Sequence, residues 1–335
     1  MFRSFLAVIL TLGIILFAGW MTLRRDDIPY DQLESIYANA DSRYLAFGDD
    51  MRVHFRDVGP RDAPVIILVH GFSASLHTWE PWVANLKRDY RVISLDLPGH
   101  GLSRCIDNNT IGPKQFVETI NRVANTLDIE RFTLAGNSMG GGAAWNYALD
   151  FPGRLDGLVL VDAAGWPRTE AEGDSRSLVF RLLDNDLARR VMKDLDLSSL
   201  IRGGLENSFG DPTFVTDDMV ERYASFARAP CHREAILELS SGRGDRRTAT
   251  PELLAQITTP TLILHGERDN LIPAAHGEKF AAAIPGSELK LYAGVGHLPQ
   301  EEIADLSAGD LRAFLTTHVY GVEDVALEDL PQPTN

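Results

Sequence analysis

Seven short apolar runs recur along the chain, and most of them end at a glycine, an aspartate or a histidine. The run over 51–59 alternates polar and apolar residues like a half-buried strand, whereas the others are apolar throughout. Strands that are apolar on both sides indicate a sheet whose two faces are both covered. The runs occupy residues 51–59, 65–71, 90–101, 131–138, 155–165, 260–269 and 289–297.

Segments of helical length separate several of these runs. Strand and helix in alternation specify right-handed crossovers and a mostly parallel sheet. We therefore predict an α/β fold with a mostly parallel sheet and helices on both faces. The helical segments cover residues 80–88, 114–128, 139–150, 275–284 and 303–317.

One interval, residues 166–250, interrupts this alternation and is called the insertion below. It contains no run that predicts a strand, but residues 177–195 and 216–230 have the spacing of amphipathic helices. Ligands of α/β proteins bind at the carboxyl edge of the sheet, so an insertion that follows the strand ending near Asp162 would cover that edge. We predict an inserted helical cap there, which divides the sheet domain into residues 44–165 and 251–320.

The N-terminal residues have a different pattern. Nineteen uncharged residues run from Phe5 to Leu23, with arginines on either side, and a helix of that length can cross a bilayer core of about 30 Å. The sequence predicts an uncleaved single-pass membrane anchor over residues 1–25, with neither side of the membrane favoured. A cleaved signal peptide is the alternative, although Leu16-Phe17-Ala18 makes a poor cleavage site.

Two polar segments lie outside these units. Residues 26–43 follow the apolar run and are predicted to be a linker. Residues 321–335 are acidic and contain proline, which predicts a frayed tail.

Composition narrows the classes of ligand. The 335 residues carry a formal net charge of -15, which disfavours a nucleic-acid partner because phosphate binding needs a basic face. The two cysteines, Cys105 and Cys231, are too few for a disulfide-rich scaffold and have neither a metal nor a redox spacing. The nine histidines form no cluster with metal-ligand spacing. Neither a metal nor another cofactor is expected.

A candidate nucleophile lies in LAGNSMGGGAAW, residues 134–145. Gly136-Asn137-Ser138-Met139-Gly140 fits the pattern G-x-S-x-G between a predicted strand and a predicted helix. The glycines allow a tight turn, and the helix N-terminus favours negative charge beside Ser138. The alternative is a glycine-rich helix start that packs closely on a strand.

A serine needs a base and an orienting acid before it can act as a nucleophile. His297 and Asp269 each follow one of the last two predicted strands, in the chain order Ser, Asp, His. In that arrangement His297 takes the proton from Ser138, and Asp269 fixes the histidine tautomer. Asp162, at the end of another strand, is an alternative acid. A surface aspartate and a structural histidine remain the non-catalytic interpretations.

The oxyanion hole is expected to use two backbone amides. Met139 follows the nucleophile, and Phe72 lies in the loop after the run LVHG. Asp96 and His100, in DLPGHG, are interpreted as residues of a structured turn rather than as a second acid–base pair.

Five segments, in order, resemble the landmark segments of the α/β-hydrolase superfamily. With the N-terminal apolar run, they make the chain similar to membrane-anchored monoacylglycerol lipases and to bacterial lipases and esterases. The resemblance implies the α/β-hydrolase fold and a serine carboxylic-ester hydrolase that forms an acyl-enzyme from an ester or lipid substrate. The segments are HGFSASLHTW (70–79), DLPGHGLS (96–103), GNSMGG (136–141), HGERDNLIP (265–273) and GVGHLPQEE (294–302).

Two features of substrate binding stay open. GNSMGG also occurs in hydrolases that cleave carbon–carbon bonds of ring-fission dienoates, which is the alternative activity and would require cap arginines for a carboxylate. We expect substrate contacts from Trp166, Leu178, Phe180 and Leu298. Apolar cap residues can equally serve to pack the cap onto the sheet.

Overall fold

A computed structural model describes residues 2–47, 52–105, 111–167, 169, 185, 193–240 and 247–321, without the side chains of residues 2–9. Eight strands form one sheet in the order β1-β2-β4-β3-β5-β6-β7-β8. The pairs β1–β2 and β2–β4 are antiparallel, and every other pair is parallel. The predicted α/β architecture is confirmed. The strands are β1 (Ser42–Ala46), β2 (Arg52–Val58), β3 (Val65–Val69), β4 (Arg91–Leu95), β5 (Phe132–Asn137), β6 (Leu155–Val161), β7 (Thr261–Gly266) and β8 (Glu288–Tyr292).

Helices cover the two faces of the sheet and form the described part of the insertion. Helix α7 begins where the Thr216 hydroxyl accepts the backbone N–H of Met219, a side-chain N-cap. The helices are α1 (Phe2–Leu23), α2 (Tyr30–Tyr37), α3 (Glu80–Leu86), α4 (Pro113–Thr126), α5 (Met139–Asp150), α6 (Ser198–Ser208), α7 (Asp217–Ala227), α8 (His232–Ser240), α9 (Pro251–Leu254), α10 (Ala274–Ala283), α11 (Pro299–Glu302) and α12 (Ala304–Phe314).

Two apolar cores lie on opposite faces of the sheet. In β3, Ile67 and Val69 pack with α4 and α5, whereas Ile66 and Leu68 pack with α3 and α12. Successive side chains of a strand point to opposite faces, so a strand between two cores must be apolar at every position. This arrangement accounts for the uninterrupted apolar runs in the sequence.

The N-terminal helix corrects one prediction. Within the described parts of the chain, no helix combines the length and the apolar character that crossing a membrane requires. The prediction of a single-pass anchor over residues 1–25, with the membrane as partner, is therefore wrong.

The segment after α1 also differs from its prediction. Arg25 donates its backbone N–H to the Asp194 carbonyl at 2.7 Å, so this segment pairs with the insertion. Residues 26–43, predicted to be a linker, contain α2, whose Leu33 is fully buried beside Phe226. A helix of 8 residues offers too few apolar positions for its period to stand out in the sequence.

The insertion is tied to the sheet domain by a disulfide between Cys105 and Cys231. Its helices α6, α7 and α8 lie between β6 and β7, and the amphipathic pattern over 216–230 corresponds to α7. The pattern over 177–195 lies outside the described residues as far as residue 192, as does the predicted tail from residue 322 onward. The boundaries of the cap stay a prediction.

Candidate active site

Ser138 occupies a sharp turn between β5 and α5. Its backbone has φ 53 and ψ -116, a conformation that residues other than glycine rarely adopt. A Cβ added at Gly136 would lie 2.2 Å from the Gly140 carbonyl oxygen, and one added at Gly140 would lie 2.3 Å from the Val69 carbonyl oxygen. Only glycine fits at these two positions of the motif.

Surrounding hydrogen bonds hold the turn in this conformation. Ser138 donates its backbone N–H to the Val161 carbonyl at 2.9 Å, and its own carbonyl accepts from Gly142 and Ala164, each at 2.9 Å. The Asn137 side chain donates to the His297 carbonyl at 3.0 Å. Asn137 thus joins the turn that carries the serine to the loop that carries the histidine.

His297 and Asp269 form a buried pair. The Nδ1 atom of His297 lies 2.6 Å from Asp269 Oδ2, and Asp269 Oδ1 accepts the backbone N–H groups of Leu271 and Ile272 at 2.7 and 2.9 Å. Burial raises the pKa of Asp269, but the charge and hydrogen bond of His297 outweigh it, so the pKa lies below its ordinary value. A charged Asp269 accepts the hydrogen bond of Nδ1–H, which keeps the proton of the imidazole on Nδ1 and leaves Nε2 as an acceptor.

Asp162, the alternative acid, lies beside this pair, but the carboxylate that bonds the His297 ring is that of Asp269. Asp162 is fully buried and accepts the Gly266 N–H at 2.9 Å, while its Oδ2 has no partner among the described residues. Burial, and then the charge of Asp269, raises the pKa of Asp162 well above its ordinary value. Of the two carboxyls, Asp162 is therefore the one that holds a proton more readily.

Asp162, Asp269 and His297 also have ligand atoms within 4.8 Å of one another, the spacing of a metal site. Within this group, His297 Nδ1 is hydrogen-bonded to Asp269, the arrangement that orients a general base.

The two predicted oxyanion donors belong to segments next to Ser138. Met139 is the first residue of α5, where backbone N–H groups have no acceptor within the helix. On the other side, a Cβ at Gly71 would lie 3.1 Å from the Ser138 Cβ, so the loop that leads to Phe72 passes against the nucleophile. Among the described residues, the side chain of His297 bonds Asp269 and makes no hydrogen bond to the Ser138 hydroxyl. In many enzymes such a contact tightens only when substrate binds.

Buried polar groups fix this loop in place. His70 accepts the Leu97 N–H at 3.0 Å and donates to the Gly71 carbonyl at 2.7 Å, and burial lowers its pKa. Asp96 accepts the N–H groups of Leu76 and Leu102 at 2.7 and 2.9 Å. These bonds are those of a structured turn.

Sequence reasoning missed the partner of Asp96 and the role of Asn137. His54 lies in the middle of β2 and bonds Asp96 at 2.7 Å across 42 residues of sequence, a separation that no local pattern reports. Asn137 occupies the first x of G-x-S-x-G, where the motif accepts any residue. Only its polar amide side chain could have indicated a hydrogen bond to another loop.

The predicted substrate residues are only partly described. Trp166 is partly buried and packs edge-to-face on Phe280, with ring centroids 5.8 Å apart. Leu298 is buried directly after His297. Leu178 and Phe180 lie outside the described residues, so contact of these side chains with substrate stays a prediction.

Comparisons with known proteins agree with the fold. A family model described as alpha/beta hydrolase fold matches residues 64–303. The chain is 30% identical over 300 residues to a dihydrolipoyllysine-residue acetyltransferase component of the acetoin cleaving system of Cupriavidus necator, covering 88% of this chain and 72% of that protein. It is also 30% identical over 275 residues to an Escherichia coli 2-hydroxy-6-oxononadienedioate/2-hydroxy-6-oxononatrienedioate hydrolase, covering 79% of this chain and 92% of the relative.

The chain is also similar in structure to an esterase. The thermophilic esterase of Thermogutta terrifontis has a TM-score of 0.67 and 26% sequence identity, with 83% of this chain and 99% of that chain covered. The similar proteins thus include an esterase and a carbon–carbon hydrolase on one architecture. The family model covers most of the chain, and the chain therefore belongs to the alpha/beta hydrolase fold family.

Proposed function

We propose that the protein is a serine hydrolase that cleaves carboxylic esters through an acyl-enzyme. The observation that carries the proposal is the buried pair of Asp269 and His297. Asn137 bonds the loop of His297 to the turn that holds Ser138. Ser138 then supplies a nucleophile, His297 a general base and Asp269 an orienting acid.

In the acylation step, Ser138 Oγ attacks the carbonyl carbon of the ester while His297 Nε2 takes the hydroxyl proton. The backbone amides of Phe72 and Met139 stabilise the negative charge on the carbonyl oxygen. Collapse of the tetrahedral intermediate breaks the bond to the alkoxy group, which leaves as the alcohol with the proton from His297. Water then attacks the acyl-enzyme with His297 as base, and the carboxylic acid is released.

Cleavage of a carbon–carbon bond is the second candidate. The observation in its favour is the 30% identity to the dienedioate hydrolase of Escherichia coli. A substrate with two carboxylates requires cationic partners, and the arginines suggested for that role, at positions 168, 176 and 181, lie outside the described residues. Esters need no such partner, so we favour ester cleavage.

A substrate panel separates the two activities. We expect p-nitrophenyl esters, graded from acetate to laurate, to give kcat/KM at least about 100-fold above that of a ring-fission dienoate. Ser138→Ala is expected to lower kcat by at least about 10³-fold, whereas Ser35→Ala, at an exposed serine of α2, leaves kcat unchanged. A dienoate that is turned over faster than every ester would reverse the assignment.

A further inference from the structure

The last turn of α6, in the insertion, contacts both loops that carry the candidate acid and base. The backbone N–H of His297 donates to the Ser208 carbonyl at 2.6 Å. The side chain of Asn270, directly after Asp269, donates to the Asn207 carbonyl at 3.3 Å. The backbone of the catalytic histidine is therefore fixed on one side by the insertion and on the other by Asn137.

Glu302 links the insertion to the same loop. One of its carboxylate oxygens, Oε2, accepts the Gly210 N–H at 2.9 Å and the Gly296 N–H at 3.2 Å. Gly210 follows α6 by two residues, and Gly296 immediately precedes His297. A single acceptor thus joins the insertion to the residue before the base.

The two backbones meet without space for a side chain. A Cβ at Gly210 would lie 2.1 Å from the Gly294 carbonyl oxygen, and one at Gly296 would lie 2.4 Å from Gly210 N. The obstructing atoms are backbone atoms, so a larger residue must displace one chain relative to the other. Phe209, between Ser208 and Gly210, is buried and stacks on Phe214, which anchors this segment within the insertion.

Gly210 lies against both ends of the chain from Gly294 to Glu302. A Cβ on it would meet the Gly294 carbonyl, and its N–H donates to the Glu302 carboxylate. The insertion therefore contacts this loop on both sides of His297. The charge of Arg222 in α7 also lowers the pKa of Glu301, which burial raises.

We propose that residues 207–210 form a positioning segment for His297, so that the insertion is part of the catalytic machinery and not solely a cover for the substrate. This inference rests on the proposed function. A cover that only binds substrate changes KM, whereas a segment that places the base changes kcat. A displacement of about 1 Å in a reacting group can cost about 10²-fold in rate.

Gly210→Ala tests the proposal against a matched control. Gly203→Ala is made in α6 of the same insertion, where an added Cβ has nothing within 4 Å. With a p-nitrophenyl ester, we expect Gly210→Ala to lower kcat by about 10- to 100-fold and Gly203→Ala to leave it unchanged. We expect KM to stay within about threefold of the wild-type value in both variants. A folded Gly210→Ala protein with wild-type kcat, or with a raised KM alone, would overturn the proposal.

Glu302 provides a second test that does not depend on how Gly210→Ala folds. In Glu302→Gln the amide oxygen can still accept both N–H groups, whereas Glu302→Leu leaves them without an acceptor. We expect the leucine variant to lose most of kcat and the glutamine variant to keep most of it. Equal kcat in the two variants argues against the positioning role.

Failure of the proposed function gives a different result. If Ser138→Ala hydrolyses esters as fast as the wild type, or if the wild type hydrolyses none, the ester-hydrolase assignment fails before the insertion is tested. If Ser138→Ala is inactive and Gly210→Ala is fully active, only the positioning role fails.

Discussion

Two buried carboxyls at the ends of neighbouring strands have different environments. Asp269 accepts two backbone N–H groups and the His297 ring, whereas Asp162 accepts one backbone N–H and faces the charge of Asp269. Two adjacent carboxylates cannot both be charged in a buried site without a large cost. The hydrogen bonds to Asp269 favour its charged form, whereas burial and the charge of Asp269 favour the protonated form of Asp162.

This difference predicts a small loss of kcat when Asp162 is replaced by asparagine and a large loss when Asp269 is. Asp162→Asn keeps a neutral group of similar shape, so kcat should stay within about tenfold of the wild type. Asp269→Asn removes the charge that orients His297 and should lower kcat by about 10⁴-fold. Steady-state kinetics on one ester measure both effects, and the reverse ranking would make Asp162 the catalytic acid.

Glu301 predicts a pH-dependent stability. Burial raises its pKa to about 7, against the hydrogen bond from Thr78 and the charge of Arg222. A folded pKa above the unfolded value means that its contribution to stability is complete below about pH 4.5 and is lost as pH rises through about 7. Glu301→Gln does not titrate, so its free energy of unfolding relative to wild type should rise by up to about 3 kcal/mol between pH 4.5 and pH 8.

Urea unfolding at a series of pH values measures this change. The matched control is Glu252→Gln on the exposed side of α9, which should show a constant difference from wild type. A constant difference for Glu301→Gln would contradict the burial of its charge.

Local motifs account for the candidate residues that could be found in the sequence. Ser138 and His297 each sit in a short pattern next to a strand end, so their neighbourhood follows from the parallel sheet. Asn137 and Glu302 support these residues through hydrogen bonds between their side chains and the backbone of distant loops. Such bonds leave no periodicity in the sequence.

At the scale of elements, strands buried on both faces were the easiest to predict. β1 was missed because its residues are only partly buried or exposed at the edge of the sheet, which weakens the apolar pattern. Helix α7 of the insertion could be expected from amphipathic spacing. The contact of the insertion with the histidine loop could not, because it is made by main-chain atoms at glycines.

The disulfide that joins the insertion to the sheet domain is predicted to stabilise the fold. Cys105 and Cys231 are separated by 126 residues, and closing a loop of about this length restricts the unfolded chain by about 4–5 kcal/mol in the chain-entropy model. We expect the double variant Cys105→Ser/Cys231→Ser to lose about 2–5 kcal/mol of unfolding free energy. Urea unfolding under oxidising conditions measures the loss, and an unchanged midpoint would show that the bond does not support the fold.

At the scale of the whole molecule, the sheet domain, the insertion and the N-terminal segment form one connected structure. Leu23 and Arg25 pair with the backbone of the insertion, and α2 packs beneath it through Leu33. The apolar N-terminal run suggested a separate anchor because its composition resembles that of a membrane helix. The composition of the run does not indicate that Leu23 and Arg25 form backbone hydrogen bonds with the insertion.

The central claim is that Ser138 is the nucleophile of an ester hydrolase. The most direct measurement is reaction of the full chain with a fluorophosphonate, followed by peptide mass spectrometry to locate the adduct. We predict a single phosphonylated peptide that contains Ser138, loss of labelling in Ser138→Ala, and much slower labelling in His297→Ala because the base is missing. Labelling at another serine, or equal labelling of Ser138→Ala and wild type, would contradict the account.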